Sequence, residues 1–175
     1  MNSFIVPTTP PPSRHELVTT HDLWQRLLVA LRERGHQGRR ESGAFLLGHR
    51  SDTQSRISEY VLYDDLDSHS LDRGIVHFDG RHYGALWEHC RRTALMVVAD
   101  VHTHPYGSEQ SPSDRAHPMI AMNGHIALIL PRFGMDDPPR EDIGMYRYLG
   151  AGQWHPVPPQ ERSHFLLIAN SRETG

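Results

Sequence analysis

The sequence predicts an α/β (α+β) fold in which a mixed central β-sheet is flanked by helices. Short apolar runs rich in Val, Ile, Leu and Ala recur along the chain, as buried strands require. Other segments carry apolar residues at helical spacing, and they alternate with these runs. The 175 residues are enough to form one substantial core.

The chain is expected to have two parts. Four prolines among residues 1–14 predict an extended arm, and residues 15–175 are predicted to form a single domain. This domain begins with a helix over about 20–34, in which four leucines recur at helical spacing. Thr20 is placed to cap the start of the helix, and Gly35 is placed to end it.

Apolar runs mark the strands of the predicted sheet. Five short strands are predicted, at residues 44–47, 57–63, 75–78, 95–101 and 126–130. The fourth of these is expected to be central in the sheet. A hairpin is predicted from residues 143–149 and 152–157, and residues 165–169 predict a last strand or helix.

Two further helices and two loops complete the prediction. A helix over residues 80–92 is expected because aromatic and aliphatic residues recur there at helical spacing. Another helix is expected to open at a capping Ser111, with Pro112 at its first position. The segments 64–73 and 131–142 are polar or rich in Pro and acid, and both are expected to be exposed loops.

Composition and charge exclude several classes of protein. The formal net charge is −3, which argues against a nucleic-acid binder that relies on a basic surface. No apolar run approaches the roughly 20 residues of a membrane span, and we expect no signal peptide. The single cysteine, Cys90, rules out an internal disulfide and a Cys-rich zinc cluster. These observations fit a cytoplasmic enzyme.

A candidate metal site follows the predicted central strand. His102 and His104 belong to a His-x-His-Pro motif, and residues two apart on a strand point to the same face. Asp114 lies on the first turn of the next predicted helix and is placed to complete a set of three ligands. Zinc accepts two imidazoles and one carboxylate and leaves its fourth position to water. The pattern therefore predicts a catalytic zinc site.

Two more residues have the chemistry of a hydrolytic site. Glu41 precedes a predicted neighbouring strand, and its carboxylate is a candidate to accept a proton from water and return it to a leaving amine. Ser111 lies three residues before Asp114 and is a candidate donor to the oxyanion that forms during hydrolysis.

Each of these features also has a plain structural interpretation. Ser111 with Asp114 matches an ordinary capping box, and Glu41 follows two arginines, as a solvated acid would. The coincidence of all five residues favours the catalytic interpretation. His117 shares a helical face with Asp114 and is an alternative ligand, although a supporting or surface role is preferred. We interpret the remaining candidates as surface, satisfied or packing residues: His77, His82, His89, His125 and Cys90.

The combined motifs resemble the signature of the JAMM (MPN⁺, Mov34/JAB-type) zinc metalloprotease family. The family pattern is Glu, then His-x-His-Pro, then Ser-x-x-Asp, and the resemblance covers about residues 20–170. It implies a fold related to the cytidine deaminases, one Zn²⁺ per chain, and cleavage after the C-terminal glycine of ubiquitin or a ubiquitin-like protein. The roles it implies are metal ligands for His102, His104 and Asp114, acid–base catalysis for Glu41, and oxyanion stabilisation for Ser111.

One spacing departs from the family pattern. Nine residues separate His104 from Asp114, where the family usually has ten. Ser111 keeps its spacing to Asp114, so we expect the ion site to be retained. The connecting loop and its contact with substrate are expected to differ.

The resemblance is greatest to prokaryotic members, the deconjugases of bacterial ubiquitin-like operons. Those operons also encode E1-like and E2-like proteins and are linked to phage defence. The implied partners are a ubiquitin-like protein or its conjugates and these operon proteins, and neither nucleic acid nor a membrane. Residues 64–77 and 131–142 are candidate partner-contact loops, or ordinary exposed loops.

Two other functions stay open at this point. One is a peptidase of the same family that processes a sulfur-carrier protein, and the other is a non-catalytic scaffold with the same fold. Deamination of a nucleobase is argued against because the chain lacks the Pro-Cys-x-x-Cys ligand pair of the zinc deaminases.

Overall fold

This computed structural model describes residues 16–170, and its central element is one mixed sheet of eight strands. The strands are β1 (Leu17–Thr20), β2 (Gly43–Arg50), β3 (Ser55–Leu62), β4 (Met96–Thr103), β5 (Ile126–Leu130), β6 (Gly144–Gly150), β7 (Gln153–Pro156) and β8 (Leu166–Ala169). The α-helices are α1 (His21–Arg34), α2 (Tyr63–Leu66), α3 (Tyr83–Thr93), α4 (Pro112–Ala116) and α5 (Pro159–Phe165). The predicted α+β class is confirmed, and the predicted arm over residues 1–14 lies outside the described residues.

The sheet has the order β7-β6-β5-β4-β2-β3-β1-β8. Strand β1 is parallel to β3 and β8, and β4 is parallel to β5, whereas the other neighbours are antiparallel. Strand β4 lies in the middle with a hydrogen-bonded neighbour on each side. The prediction of a central strand that ends in the two histidines is confirmed.

The sheet curls around helix α1. The guanidinium of Arg147 on β6 contacts both carboxylate oxygens of Glu16, the residue before β1, at 2.8 and 2.6 Å. Four strands lie between β6 and β1, so a flat sheet would separate them by about 24 Å. The contact therefore requires strong curvature, and the concave face encloses α1.

Alternation along β2 sends side chains to two different cores. Leu46 points to the inner core around α1, which also contains Leu27 and Leu128. Phe45 and Leu47, on either side of Leu46 in the chain, point the other way and belong to an outer core beneath α3. The convex face of the sheet is thus covered by a second, smaller apolar layer, and it is this face that carries the two histidines.

The first predicted helix is confirmed over His21–Arg34. The hydroxyl of Thr20 accepts a hydrogen bond from the Leu23 amide at 3.2 Å, as a cap at this position should. Gly35 ends the helix, but with φ of −75°, outside the left-handed region. A Cβ at this glycine would lie 3.0 Å from the carbonyl oxygens of Leu31 and Arg40, so close backbone packing explains the residue.

Several sequence predictions need correction or completion. The strand predicted at 75–78 is wrong, because the chain there forms no ladder and its amides bond elsewhere: Val76 to a side chain and His77 to the Ser70 carbonyl. The ambiguous segment 165–169 is mainly a strand. The helix predicted over 80–92 is confirmed as a 3₁₀ turn at Gly80–His82 followed by α3. Elements that the sequence did not predict are β1, α2 and α5, together with 3₁₀ turns at Arg132–Gly134 and Arg140–Asp142.

None of the helices within residues 16–170 is both long enough and apolar enough to cross a membrane.

Candidate metal centre

Strand β4 fixes the two histidines at its carboxyl end. His102 pairs with Gly43 of β2 on one side and with Ile129 of β5 on the other. Beyond the paired region the His104 amide still donates to the Leu130 carbonyl at 2.9 Å. The sheet thus holds the backbone from both sides at His102 and from the β5 side at His104.

Helix α4 brings Asp114 to the same place. The hydroxyl of Ser111 accepts a hydrogen bond from the Asp114 amide at 3.1 Å, and a carboxylate oxygen of Asp114 accepts one from the Ser111 amide at 2.6 Å. This reciprocal pair is a capping box, with Pro112 at the first helical position. The capping interpretation is confirmed, and it is compatible with the site interpretation because the capped carboxylate also faces the histidines.

The three predicted ligands lie around one point. Nε2 of His102 lies 3.0 Å from Nε2 of His104 and 3.3 Å from one carboxylate oxygen of Asp114. Nε2 of His104 lies 3.2 Å from the other oxygen of that carboxylate. Ligands about 2.0–2.1 Å from a tetrahedral zinc ion lie roughly 3.3 Å apart. The spacing and the donor set therefore fit such an ion, and among residues 16–170 this is the one such cluster of His, Cys, Asp and Glu.

Charge coupling sets the protonation of this group. Burial alone would lower the pKa of the His102 imidazole, but Asp114, with smaller effects from Asp100 and Glu41, raises it above its ordinary value. Burial would raise the pKa of the Asp114 carboxyl, but hydrogen bonds from His102 and His104 hold it well below its usual range. Asp114 is thus an anion at neutral pH, as a metal ligand must be.

Glu41 borders the cavity next to the three candidate ligands without joining their cluster. Its amide donates to the Gly74 carbonyl at 2.9 Å, and its carboxylate accepts from the Val76 amide at 3.1 Å. It lines an open cavity of about 420 Å³ together with His104, Ser111 and Asp114. A carboxylate held apart from the ligands in this way is available to exchange a proton with a molecule in the cavity.

Ser111 lines the same cavity and keeps a donor available. Its oxygen accepts the capping hydrogen bond from Asp114, which leaves its hydroxyl hydrogen for a group in the cavity. The structure thus brings all five predicted residues to one place. Their roles in metal binding and catalysis stay predictions.

Two hydrogen bonds that the sequence does not reveal join the segment of Glu41 to the segment of the histidines. The amide of Thr103 donates to the Ser42 carbonyl at 2.9 Å, and the amide of Ser42 donates to the Thr103 hydroxyl at 3.0 Å. The Ser42 hydroxyl donates to the Leu31 carbonyl of α1 at 2.7 Å. Since Ser42 follows Glu41 and Thr103 separates the histidines, these bonds fix the relative positions of the two segments.

A buried polar group supports β4 behind His102. Asp100 lies two residues before His102 on the same face of the strand. One of its carboxylate oxygens accepts a hydrogen bond from the Tyr63 hydroxyl at 3.1 Å, and the other lies 2.5 Å from Nε2 of His125. All three side chains are buried, and burial beside Asp100 raises the pKa of Tyr63 well above its ordinary value. The two-residue spacing of Asp100 from His102 is the only sequence signal for this group.

The five other histidines considered as candidates lie outside the ligand cluster. His117 is exposed, and its Nδ1 lies 3.2 Å from the Ser113 carbonyl oxygen. His77 is also exposed, and the other three have carboxylate partners: His82 with Asp67, His89 with Glu59, and His125 with Asp100. Cys90 is partly buried against the outer core, which agrees with the predicted packing role.

Comparison with known proteins supports a metalloprotease in general terms. No protein-family model matches the chain. The chain is 24% identical over 140 residues to "Probable metalloprotease y4jG" of Sinorhizobium fredii (strain NBRC 101917 / NGR234), covering 80% of this chain and 86% of that protein. Together with the His102, His104 and Asp114 cluster, this similarity suggests a metalloprotease.

A solved structure shows a similar fold. The solution structure of protein DSY2949 from Desulfitobacterium hafniense superposes with a TM-score of 0.60 at 12% identity, over 90% of this chain and 97% of that one. A solution structure of a protein from Salinibacter ruber (strain DSM 13855) gives a TM-score of 0.48 at 14% identity, over 90% of this chain and 94% of that one. At these identities the likeness concerns the fold alone.

Proposed function

We propose that this chain is a zinc-dependent peptidase of the JAMM type that cleaves after the C-terminal glycine of a ubiquitin-like protein. The observation that carries the proposal is that Glu41, His104, Ser111 and Asp114 line one open cavity, and that His102 completes the cluster of candidate ligands beside them. The order of the motifs and the similarity to a metalloprotease support it. We further propose a cytoplasmic enzyme of a bacterial ubiquitin-like conjugation system with an antiphage role, in which E1-like and E2-like proteins act on the same partner.

The chemistry follows from what the side chains in the cavity can do. His102, His104 and Asp114 would hold one Zn²⁺, which acts when bound as a Lewis acid that makes water nucleophilic near neutral pH. The Glu41 carboxylate accepts the proton released from the attacking water and donates it to the leaving amine. The Ser111 hydroxyl donates to the oxyanion, a contact worth roughly 3–4 kcal/mol in enzymes where such donors have been removed.

The walls of the cavity suit an extended peptide. Besides the polar residues, the cavity is bordered by Ile75, Val76, Pro105 and Pro112. Residues 75–78 are not paired in the sheet, and Ile75 is 52% exposed beside Glu41. Tyr106 follows Pro105 and is 85% exposed. We propose that a substrate tail lies along this wall in an extended conformation before it reaches the metal ligands.

The experiment is cleavage of a ubiquitin-like protein that carries a short C-terminal extension. We expect the zinc-loaded protein to release the extension after the terminal glycine, and a chelator to abolish the reaction. Glu41→Gln is the matched variant, because its amide oxygen can still accept from Val76 while the proton acceptor is lost. It should retain zinc and lose activity by at least about 100-fold.

Three outcomes would count against the proposal. Equal cleavage by Glu41→Gln would contradict the assigned acid–base role, and cleavage that survives the chelator would contradict the metal. A sulfur-carrier protein with the same extension, used as a second substrate, tests the assignment of the partner. Selective cleavage of that protein would replace the proposed ubiquitin-like substrate.

A further inference from the structure

We infer that the β6–β7 hairpin positions the third metal ligand, and that Tyr146 and Trp154 are the residues through which it does so. The inference rests on the metal centre of the proposed function and not on its substrate. Neither residue touches the candidate ligand atoms. Both bind the backbone of the segment that carries Ser111 and Asp114, and we therefore call them positioning residues.

The segment needs external support because its own structure is small. Helix α4 has five residues, whereas isolated helices shorter than about 12–15 residues are marginal in water. The capping box joins Ser111 to Asp114 but holds neither of them to the rest of the molecule. Contacts from outside the helix must therefore decide where the carboxylate lies.

Tyr146 holds the segment before the cap. Its hydroxyl donates to the Ser108 carbonyl at 2.8 Å. The Tyr146 side chain is buried, and Gln110, directly before Ser111, is buried too. This side of the segment is consequently fixed against β6.

Trp154 holds the segment after the ligand. Its indole N–H donates to the Arg115 carbonyl at 3.2 Å, one residue beyond Asp114. Trp154 is paired across the hairpin with Tyr148, and their ring centroids lie 4.9 Å apart. The indole also lines a small cavity together with Asp114 and His102. The two hydrogen bonds of the hairpin thus bracket the pair Ser111 and Asp114.

The two faces of the hairpin have different contacts: one packs into the core, and the other holds the segment of Ser111 and Asp114. Met145 on β6 and Val157 after β7 point into the inner core around α1. Tyr146 and Tyr148 alternate with Met145 and point to the opposite face, together with the Trp154 indole. Removing one polar group from that face should therefore loosen Asp114 while the core of the hairpin stays packed.

The test compares zinc affinity in full-length variants that each lose one hydrogen bond. Tyr146→Phe and Trp154→Phe keep an aromatic ring and remove one donor each. The matched controls are Tyr60→Phe, whose hydroxyl donates to a backbone carbonyl of α1 at 3.4 Å, and Trp87→Phe on α3. Zinc affinity is measured by competition with a chromophoric chelator. We expect a loss of about 3- to 10-fold for each hairpin variant, a larger loss for the double variant, and no change in the controls.

Two further readouts separate positioning from general stability. The visible spectrum of the Co²⁺-loaded hairpin variants should shift, because one ligand is less firmly placed, and the controls should match the wild type. Thermal unfolding of the metal-free proteins measures stability independently. Lower melting temperatures with unchanged zinc affinity and unchanged Co²⁺ spectra would overturn the inference, as would equal losses in the controls.

The result also distinguishes this inference from the proposed function. A protein that binds zinc with the expected order of affinities but cleaves no ubiquitin-like substrate would leave the inference standing and remove the proposed substrate. A wild-type protein that binds no zinc would overturn both the metal centre and the inference.

Discussion

The two histidines and Asp114 reach the candidate metal centre from supports of different kinds. His102 lies on the central strand of the sheet with a hydrogen-bonded neighbour on each side, and His104 follows the end of that strand, where its amide bonds to β5. Only 7% and 13% of their side chains are exposed. Their backbone is tied further through the bonds between Thr103 and Ser42. The position of the imidazoles is therefore decided by the same pairing that decides the fold.

Asp114 depends on local contacts instead. It lies on a five-residue helix, and its side chain is 21% exposed. A capping box joins it to Ser111, and the indole of Trp154 bonds the carbonyl of the next residue, Arg115. No strand of the sheet pairs with this helix. Two candidate ligands of the site are therefore built into the fold, whereas the third is added by contacts that can change without unfolding the protein.

The largest expected effect distinguishes the two histidines held by the sheet from Asp114 on α4. In structural zinc sites about 10–16 kcal/mol is shared over four ligands, so one ligand is worth roughly 3 kcal/mol, or roughly 100-fold in affinity. We expect the double variant His102→Ala, His104→Ala to lose stoichiometric zinc. Asp114→Ala should bind about 100-fold more weakly through the two imidazoles that the sheet still holds. Chelator competition measures both.

The control for this prediction is His117→Ala. His117 lies close to Asp114 in the chain but outside the cluster, so its removal should leave zinc affinity unchanged. If Asp114→Ala loses zinc as completely as the double variant, the pre-arranged histidines do not form a binding unit of their own, and the comparison fails.

The difference between the histidines on the sheet and Asp114 on α4 also explains how much of the site the sequence could predict. The two histidines were recognisable because the strand period is two, and the cap because Ser111 and Asp114 stand at the spacing of a capping box. Both signals are local. Glu41 was grouped with these segments because it precedes a predicted neighbouring strand, and the family resemblance implied the same grouping. The local sequence itself does not show that distant segments meet.

The contacts that join the segments could not be predicted. Trp154 and Arg115 are 39 residues apart, and they meet only because of the register of the hairpin and the curvature of the sheet. The failed strand at 75–78 has the same origin. Its apolar composition resembles a strand, but the Val76 amide is taken by the Glu41 carboxylate, so the residues form a wall of the cavity instead.

A smaller effect is expected from overpacking the sheet next to His102. Gly43 lies opposite His102 on β2, and a Cβ there would collide with the Tyr63 ring and the Val101 carbonyl oxygen. Gly43→Ala should lower the free energy of unfolding by about 1–3 kcal/mol, as overpacking does. Because the strain falls on β2 and β4, we expect weaker zinc binding as well. Denaturant unfolding and chelator competition measure the two effects.

Gly84→Ala serves as the control for this substitution. Gly84 lies on α3, where an added Cβ would meet nothing within 4 Å, so the same change should be neutral or stabilising by up to about 1 kcal/mol. Unchanged stability of Gly43→Ala would show that the packing behind His102 accommodates an extra methyl group. It would contradict the view that the sheet holds the histidines more rigidly than α4 holds Asp114.

The smallest expected effect compares two caps of the same kind. Thr20 caps the long helix α1, and Ser111 caps α4. Either residue changed to Ala should cost about 1 kcal/mol in the free energy of helix formation. For Thr20→Ala the cost should appear as lower stability to denaturant, with zinc affinity unchanged, because α1 unfolds only with the core.

For Ser111→Ala the same cost should appear in the other measurement. Helix α4 contributes no residue to either apolar core, so its loosening should barely change global unfolding while zinc affinity falls by about fivefold. Ser111→Thr keeps a capping hydroxyl and should restore the affinity. If Ser111→Ala instead lowers stability as Thr20→Ala does and leaves zinc affinity intact, then α4 is as much a part of the fold as β4, and the third ligand is built in with the other two.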